Sequence, residues 1–148
     1  MSEDLYQEII LDHYKNPRGS AVIAEPLAES HQINPTCGDE VTVWVGKDSE
    51  GRLKIAYQGQ GCSISQASAS VMSELLSGKY PSEAAEIQSS FMELMQSKGL
   101  IEPNEDVLED AIAFAGVSKY PARIKCALIS WMALTDAQIK AGLTDREG

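Results

Sequence analysis

The chain has 148 residues, a length that fits one compact domain. Its 12 basic and 22 acidic residues give a formal net charge of −10, and no run rich in Lys and Arg offsets it. This charge argues against binding driven by nucleic-acid phosphates, and an anionic membrane surface would repel the protein.

The beginning of the chain does not resemble a secretory signal peptide. It starts acidic and lacks the apolar run of a secretory signal peptide. No stretch approaches the roughly 20 apolar residues that a membrane span needs. We therefore expect a cytoplasmic protein. In that reducing compartment, three cysteines are not expected to form a disulfide framework.

The first predicted element is a helix over residues 4–15. Leu5 and Ile9 recur at helical spacing on one face, and we expect His13 to help pack this helix on the sheet. Pro17, together with the glycine that follows two residues later, ends the helix because both residue types interrupt helical structure.

A β-hairpin is predicted next. Residues 20–36 look irregular or weakly extended. Residues 41–45 and 53–57 alternate apolar and polar side chains, which indicates two strands with one apolar face. Residues 47–51 form the turn between them, and residues 58–61 end the second strand.

The rest of the chain is predicted to be helical. Residues 63–76 and 81–97 form two helices, each closed by a Ser/Lys-Gly pair. Residues 100–119 are looser, with a short helix over about 107–114. The last helix begins at a proline and covers 121–141. This order predicts one α+β domain over residues 1–148, with a small antiparallel sheet packed against several helices.

The first candidate for chemistry is the loop that contains Cys37, Gly38 and Asp39. Gly38 lets the backbone bend so that the thiolate of Cys37 and the carboxylate of Asp39 turn toward one centre. Both groups are zinc ligands. The pattern alone is weak, because loops are rich in Gly and Asp.

The other two cysteines also lie near element boundaries. Cys62 is placed at a helix start, where the helix dipole stabilises a thiolate. Cys126 lies early in the last helix, and Arg123 precedes it by three residues on nearly the same face. Buried, inert cysteines remain the alternative for both. Together Cys37, Asp39, Cys62 and Cys126 offer three sulfurs and one oxygen, a set that suits zinc.

The chain resembles the SufU/IscU family of iron–sulfur cluster assembly proteins, which includes the NifU N-terminal type. The resemblance covers nearly the whole chain. It is carried by residues 5–14 (LYQEIILDHY), 16–19 (NPRG), 34–39 (NPTCGD), 59–65 (GQGCSIS) and 123–126 (RIKC).

Two departures favour the SufU branch. The pattern of the scaffold branch has a His directly before the third cysteine. That His lies in a segment similar to Leu-Pro-Pro-Val-Lys, which a chaperone recognises. Here Lys125 precedes Cys126, and residues 118–122 read SKYPA. The connection that leads to Cys126 is also longer by about one helix, the region 81–97.

The SufU resemblance implies a zinc-dependent sulfurtransferase that accepts persulfide sulfur from a SufS-type, PLP-dependent cysteine desulfurase and supplies downstream iron–sulfur assembly proteins. It implies that Cys37 is the acceptor, and that Asp39, Cys62 and Cys126 hold zinc with it. Arg123 is a candidate for stabilising the anion once Cys37 leaves the metal, and a surface salt bridge is the alternative for it.

Two other functions use the same residues. One is a scaffold on which a transient [2Fe–2S] cluster is assembled and passed on. The other is an interaction module with a purely structural zinc ion. Lys125 and the longer connection favour the sulfurtransferase over the scaffold.

Overall fold

The computed structural model describes residues 3–36 and 38–143. Over these ranges it contains three strands, five α-helices and one 3₁₀-helical segment. In chain order they are α1 (Glu3–Lys15), β1 (Ala28–Asn34), β2 (Asp39–Lys47), β3 (Leu53–Gln60), α2 (Ser63–Leu76), α3 (Pro81–Gln96), α4 (Glu105–Leu108), the 3₁₀ segment (Glu109–Lys119) and α5 (Pro121–Ala141). The α+β class expected from the sequence is confirmed.

The strands form one antiparallel sheet in the order β1-β2-β3. Alternate residues of β2 are fully or almost fully buried, and α5 packs against β1 and β2. The register pairs Asn34 with Asp39 and Glu40 with Gln60. The start of β2 and the end of β3 therefore lie side by side at one end of the sheet.

Residues 20–36 were predicted to be irregular or weakly extended, and residues 28–34 are extended. They pair with β2 along their whole length. The sequence does not define a strand here because β1 lies at the sheet edge, where only Ser30 is buried and polar side chains are tolerated. The second predicted strand is also longer than expected, since β3 continues to Gln60.

The long helices match the sequence prediction. α2 and α5 have the predicted bounds, and α3 ends one residue earlier than expected. Gly142 closes α5 in the left-handed conformation at φ 70°. The apolar faces of these helices join the sheet in one buried cluster, so the core lies between the sheet and the helices.

Aromatic side chains join the helices inside this cluster. Phe91 of α3 stacks on Trp131 of α5 with ring centroids 4.0 Å apart, and the edge of Phe114 meets Phe91 at 6.1 Å. The Trp131 indole N–H donates to Ser68 Oγ of α2 over 2.9 Å. A buried indole needs such an acceptor, so this bond fixes α5 against α2.

The first helix packs mainly on α2 and the 3₁₀ segment, not on the sheet as expected. His13 is fully buried, with Nδ1 at 2.7 Å from Ser70 Oγ of α2 and Nε2 at 2.9 Å from Asp110 Oδ2. The sequence shows an apolar face on α1 but not which surface receives it.

The region after α3 also differs from the prediction. A short helix over about 107–114 was expected, but α4 ends at Leu108 and a 3₁₀ segment follows. Glu109 has φ 47° and ψ −126°, a backbone conformation that cannot continue an α-helix. Among the described helices, none is long and apolar enough to cross a membrane.

Candidate metal centre

Asp39 is the first residue of β2, and its side chain is completely buried. The backbone N–H of Cys62 donates to Asp39 Oδ1 over 2.9 Å. The second oxygen, Oδ2, lies 3.8 Å from Cys62 Sγ. A buried carboxylate is costly unless it is paired, so this geometry requires strong partners on both oxygens.

Cys62 occupies the N-cap position of α2, with extended backbone angles of φ −73° and ψ 167°. The N–H of Ser65 points at its Sγ over 3.5 Å. A helix N-terminus presents free N–H groups and a positive dipole end, and both favour a thiolate at this position. The sequence prediction for Cys62 at a helix start is therefore matched by the structure.

Cys126 lies in the second turn of α5 and is 6% exposed. Its Sγ is 3.6 Å from the carbonyl oxygen of Ala122, to which the thiol donates. α5 packs on α2, which carries Cys62 at its start, and on β2, which begins with Asp39. The fold thus delivers three side chains from three separate elements to one place.

One ligand atom each from Asp39, Cys62 and Cys126 lies within 4.8 Å of the other two. Zinc ligands at about 2.0–2.3 Å from the ion are roughly 3.3–3.8 Å apart when arranged as a tetrahedron. The 3.8 Å between Asp39 Oδ2 and Cys62 Sγ agrees with that spacing. Two sulfurs and one carboxylate oxygen therefore fit zinc, with a fourth ligand still required.

The predicted fourth ligand, Cys37, lies outside the described residues, so its role stays a prediction. The described residues on either side form a tight connection between β1 and β2. Gly38 has φ 74°, and its N–H donates to the carbonyl oxygen of Asn34 over 2.9 Å.

Arg123 lies on the surface one turn before Cys126. Its guanidinium carbon is 5.3 Å from the ring centroid of Tyr120, a cation–π arrangement. The arginine also lines a cavity of about 120 Å³ beside Tyr6 and Ile64. Within the described part of the chain, the partner of Arg123 is thus an aromatic ring and not the carboxylate of a salt bridge.

Gly61 also belongs to the site, although it was not among the residues predicted from the sequence. It lies directly against Asp39, because a Cβ atom on Gly61 would lie 2.2 Å from Asp39 Oδ1. The signal was the glycine directly before a cysteine at a helix start.

A second group of titratable side chains, also missed, surrounds His13. His13, Glu74 and Asp110 each place one atom within 4.8 Å of the others. Arg18 supplies a cation there, with Nε 3.5 Å from Glu74 Oε2 and Nη2 2.8 Å from Asp12 Oδ2. These side chains therefore form a polar network that connects α1 to its neighbours. The hydrogen bond from Arg18 lowers the pKa of Asp12.

Comparisons with known proteins agree with the resemblance seen in the sequence. The model of the NifU-like N-terminal domain matches residues 5–127. The zinc-dependent sulfurtransferase SufU of Bacillus subtilis (strain 168) is 40% identical over 147 residues, which cover 99% of this chain and 94% of the relative. The iron–sulfur cluster assembly scaffold protein IscU of Streptococcus pyogenes serotype M1 is 38% identical, over 90% of this chain and 82% of the relative.

A solved structure shares the fold. It is the crystal structure of a putative iron–sulfur cluster assembly scaffold protein for the SUF system from Fervidobacterium islandicum AW-1. The TM-score is 0.79 and the identity 35%, with 93% of this chain and 98% of that chain covered. By family model, by sequence and by fold, the chain belongs to the family of the NifU-like N-terminal domain.

Proposed function

We propose that this protein is a zinc-dependent sulfurtransferase that accepts persulfide sulfur from a SufS-type, PLP-dependent cysteine desulfurase for iron–sulfur cluster assembly. The observation that carries the proposal is the convergence of Asp39, Cys62 and Cys126 within 4.8 Å. It is supported by 40% identity over 99% of the chain to a relative named for this activity.

The proposed zinc ligands are Cys37, Asp39, Cys62 and Cys126. When bound, zinc keeps its cysteine ligands deprotonated at neutral pH. Two of the three described ligands are also held by backbone amides. Asp39 Oδ1 accepts from the N–H of Cys62, and Cys62 Sγ accepts from the N–H of Ser65. These contacts support a site in which Asp39 and Cys62 stay in place during sulfur transfer.

In the proposed reaction, Cys37 is the acceptor. Its thiolate attacks the outer sulfur of the desulfurase persulfide, forming a new S–S bond. The S–S bond of the donor breaks, and the donor cysteine leaves as a thiolate, which takes up a proton from solvent. No net oxidation occurs. The sulfur then passes to downstream iron–sulfur assembly proteins. The proposed location of the reaction is the cytoplasm, where thiols stay reduced.

Arg123 is proposed to stabilise negative charge near the acceptor. It is exposed, its guanidinium stacks on Tyr120, and it precedes Cys126 by three residues on α5. A cation at this position would favour thiolate forms electrostatically. Replacing Arg123 with Ala is expected to lower the sulfur transfer rate and leave zinc content unchanged.

The second candidate function is a scaffold for a transient [2Fe–2S] cluster. It is favoured by the relative at 38% identity, which is named a scaffold protein. The same cysteines would then bind iron. In that case iron and sulfide would bind stably, and the turnover of a desulfurase would not rise when the protein is added.

The test of the proposed acceptor uses mass spectrometry. The purified protein is incubated with a cysteine desulfurase and cysteine, and the site of the added sulfur is mapped. We expect persulfide on Cys37 and a rise in desulfurase turnover. A Cys37→Ser variant should show neither change. Persulfide found mainly on Cys62 or Cys126 would contradict the assignment.

The test of the metal site measures zinc affinity by competition with a chelator. Asp39→Ala removes one ligand, so we expect zinc affinity to fall by at least about tenfold. Glu40→Ala is the matched control, since this neighbouring carboxylate faces His31 and Gln60 on the exposed side of the sheet. An unchanged affinity in Asp39→Ala would remove Asp39 from the ligand set.

A further inference from the structure

Gly61 lies between the end of β3 and the start of α2, directly against the side chain of Asp39. Its φ is 147°, a conformation that L-residues rarely adopt. An added Cβ would lie 2.2 Å from Asp39 Oδ1, 2.9 Å from Asp39 Cγ and 2.9 Å from Ser65 Oγ. An added side chain would displace the carboxylate of Asp39, because the first two distances are too short for a van der Waals contact.

The two oxygens of Asp39 have different surroundings. Oδ1 accepts the Cys62 N–H over 2.9 Å, at the N-terminus of α2. Oδ2 faces the sulfur of Cys62 at 3.8 Å, within the group of candidate ligand atoms. An anion on a helix N-terminal amide is held by a charge-assisted hydrogen bond. The carboxylate is thus oriented by the protein before any metal binds.

We propose that Gly61 is a positioning residue, which fixes Asp39 Oδ1 on the amide of Cys62 and thereby presents Oδ2 as a single-oxygen ligand. The inference rests on the proposed metal site. Gly61 thus serves the site by leaving room for the carboxylate of Asp39, in addition to adopting a φ that favours glycine. The space left by the missing side chain is the space that the carboxylate occupies.

The inference implies that Asp39 holds its position in the metal-free protein. A ligand that is already oriented loses little freedom when the metal arrives, which favours tight binding. Gly61→Ala should therefore weaken zinc binding by about tenfold or more, the range found for residues that orient a ligand. Cobalt substituted for zinc should show an altered visible absorption spectrum, because the ligand geometry changes.

Gly78→Ala and Gly51→Ala are matched controls. Both glycines have positive φ values, 85° and 87°, but a Cβ added at either one meets no atom within 4 Å. These variants carry backbone strain without touching Asp39. We expect both to lower stability while leaving zinc affinity and the cobalt spectrum unchanged. Unchanged zinc affinity in Gly61→Ala would overturn the inference.

A double-mutant cycle tests whether Gly61 acts through Asp39. In the Asp39→Ala background, the collision with the carboxylate is gone, and the remaining close atom, Ser65 Oγ at 2.9 Å, can rotate away. Adding Gly61→Ala should therefore cause no further loss of zinc affinity. If Gly61→Ala alone does not fold, the double variant should regain folding. A further affinity loss in the double variant, or failure of both variants to fold, would overturn the inference.

The cycle also separates this inference from the proposed metal site. If Asp39→Ala itself leaves zinc affinity unchanged, the ligand assignment fails. If Asp39→Ala weakens zinc binding and Gly61→Ala does not, the site stands and only the role of Gly61 fails.

Discussion

At the residue scale, the clearest contrast is between two hydrogen-bonded carboxylates, Asp39 and Asp136. Asp39 is fully buried and bound to a backbone amide. Asp136 is partly exposed; it accepts from Ser30 Oγ over 2.7 Å and lies 3.1 Å from Lys140 Nζ. The hydrogen bond from Ser30, and then that from Lys140, lower the pKa of Asp136 below its ordinary value of 3.8. Asp136 thus links α5 to the edge strand β1.

The lowered pKa of Asp136 predicts a pH-dependent contribution to stability. This contribution is fully present above the pKa that Asp136 has in the unfolded chain. It is lost as the pH falls through the lower pKa of the folded state. Asp136→Asn should therefore destabilise the metal-free protein near neutral pH, and the difference from wild type should shrink as the pH falls below 3.8.

Urea unfolding across this pH range, in excess chelator, checks the prediction. Ser30→Ala is the companion variant, because it removes the largest cause of the shift. It should raise the pKa of Asp136, which NMR titration can follow. If the difference in free energy of unfolding between wild type and Asp136→Asn does not change with pH, the titration of Asp136 does not contribute to stability.

At the scale of elements, α1 is attached through one buried histidine. His13 bonds to α2 through Ser70 and to the 3₁₀ segment through Asp110. Arg18, just after α1, adds its backbone N–H to Ser70 Oγ over 2.9 Å. The first helix is therefore held by polar contacts as well as by its apolar face.

His13→Ala is expected to lower the free energy of unfolding by about 2–4 kcal/mol, because it leaves a cavity and removes the imidazole that bonds to the buried Ser70 and to Asp110. His31→Ala is the matched control. His31 also pairs with a carboxylate, Glu40, at 2.8 Å, but both side chains are well exposed. Its loss should cost less than about 1 kcal/mol. If urea unfolding shows that both variants lose the same free energy of unfolding, His13 is not a special attachment point of α1.

The boundaries of α2 and α5 could be predicted from sequence because local residues set them. Pro121 starts α5, Gly142 ends it, and Ser63 follows the cap residue of α2. β1 could not be predicted in the same way, since its identity depends on pairing with β2 and not on its own apolar pattern. The 3₁₀ segment likewise has no local signal beyond an apolar run.

At the scale of the whole molecule, the candidate metal centre joins β2, α2 and α5. The motifs gave the residues of the site, and the structure brings Asp39, Cys62 and Cys126 together. The bond between Asp39 and the Cys62 amide could not be predicted, because it depends on the register of β2 against β3. The contact between Gly61 and Asp39 depends on the same register.

A metal that joins three elements should stabilise the whole fold. Zinc that binds only the folded chain contributes about 2.7 kcal/mol when free zinc is roughly 100 times its Kd. We therefore expect a strong chelator to lower the melting temperature, and added zinc to restore it. The Asp39→Ala variant should show a smaller dependence on zinc. A melting temperature that does not respond to zinc in the wild type would contradict a centre that links these elements.

The stacking of Trp131 on Phe91 makes Trp131 fluorescence a probe of the packing between α5 and α3. Trp131 is 3% exposed, whereas Trp44 lies on the outer side of the sheet and bonds to the side chain of Glu29. In a Trp44→Phe variant, the remaining indole should emit at short wavelength and shift to the red when α5 separates from α3 or from α2. Fluorescence of one native residue would then time the opening of the helical layer, independently of any signal from the metal.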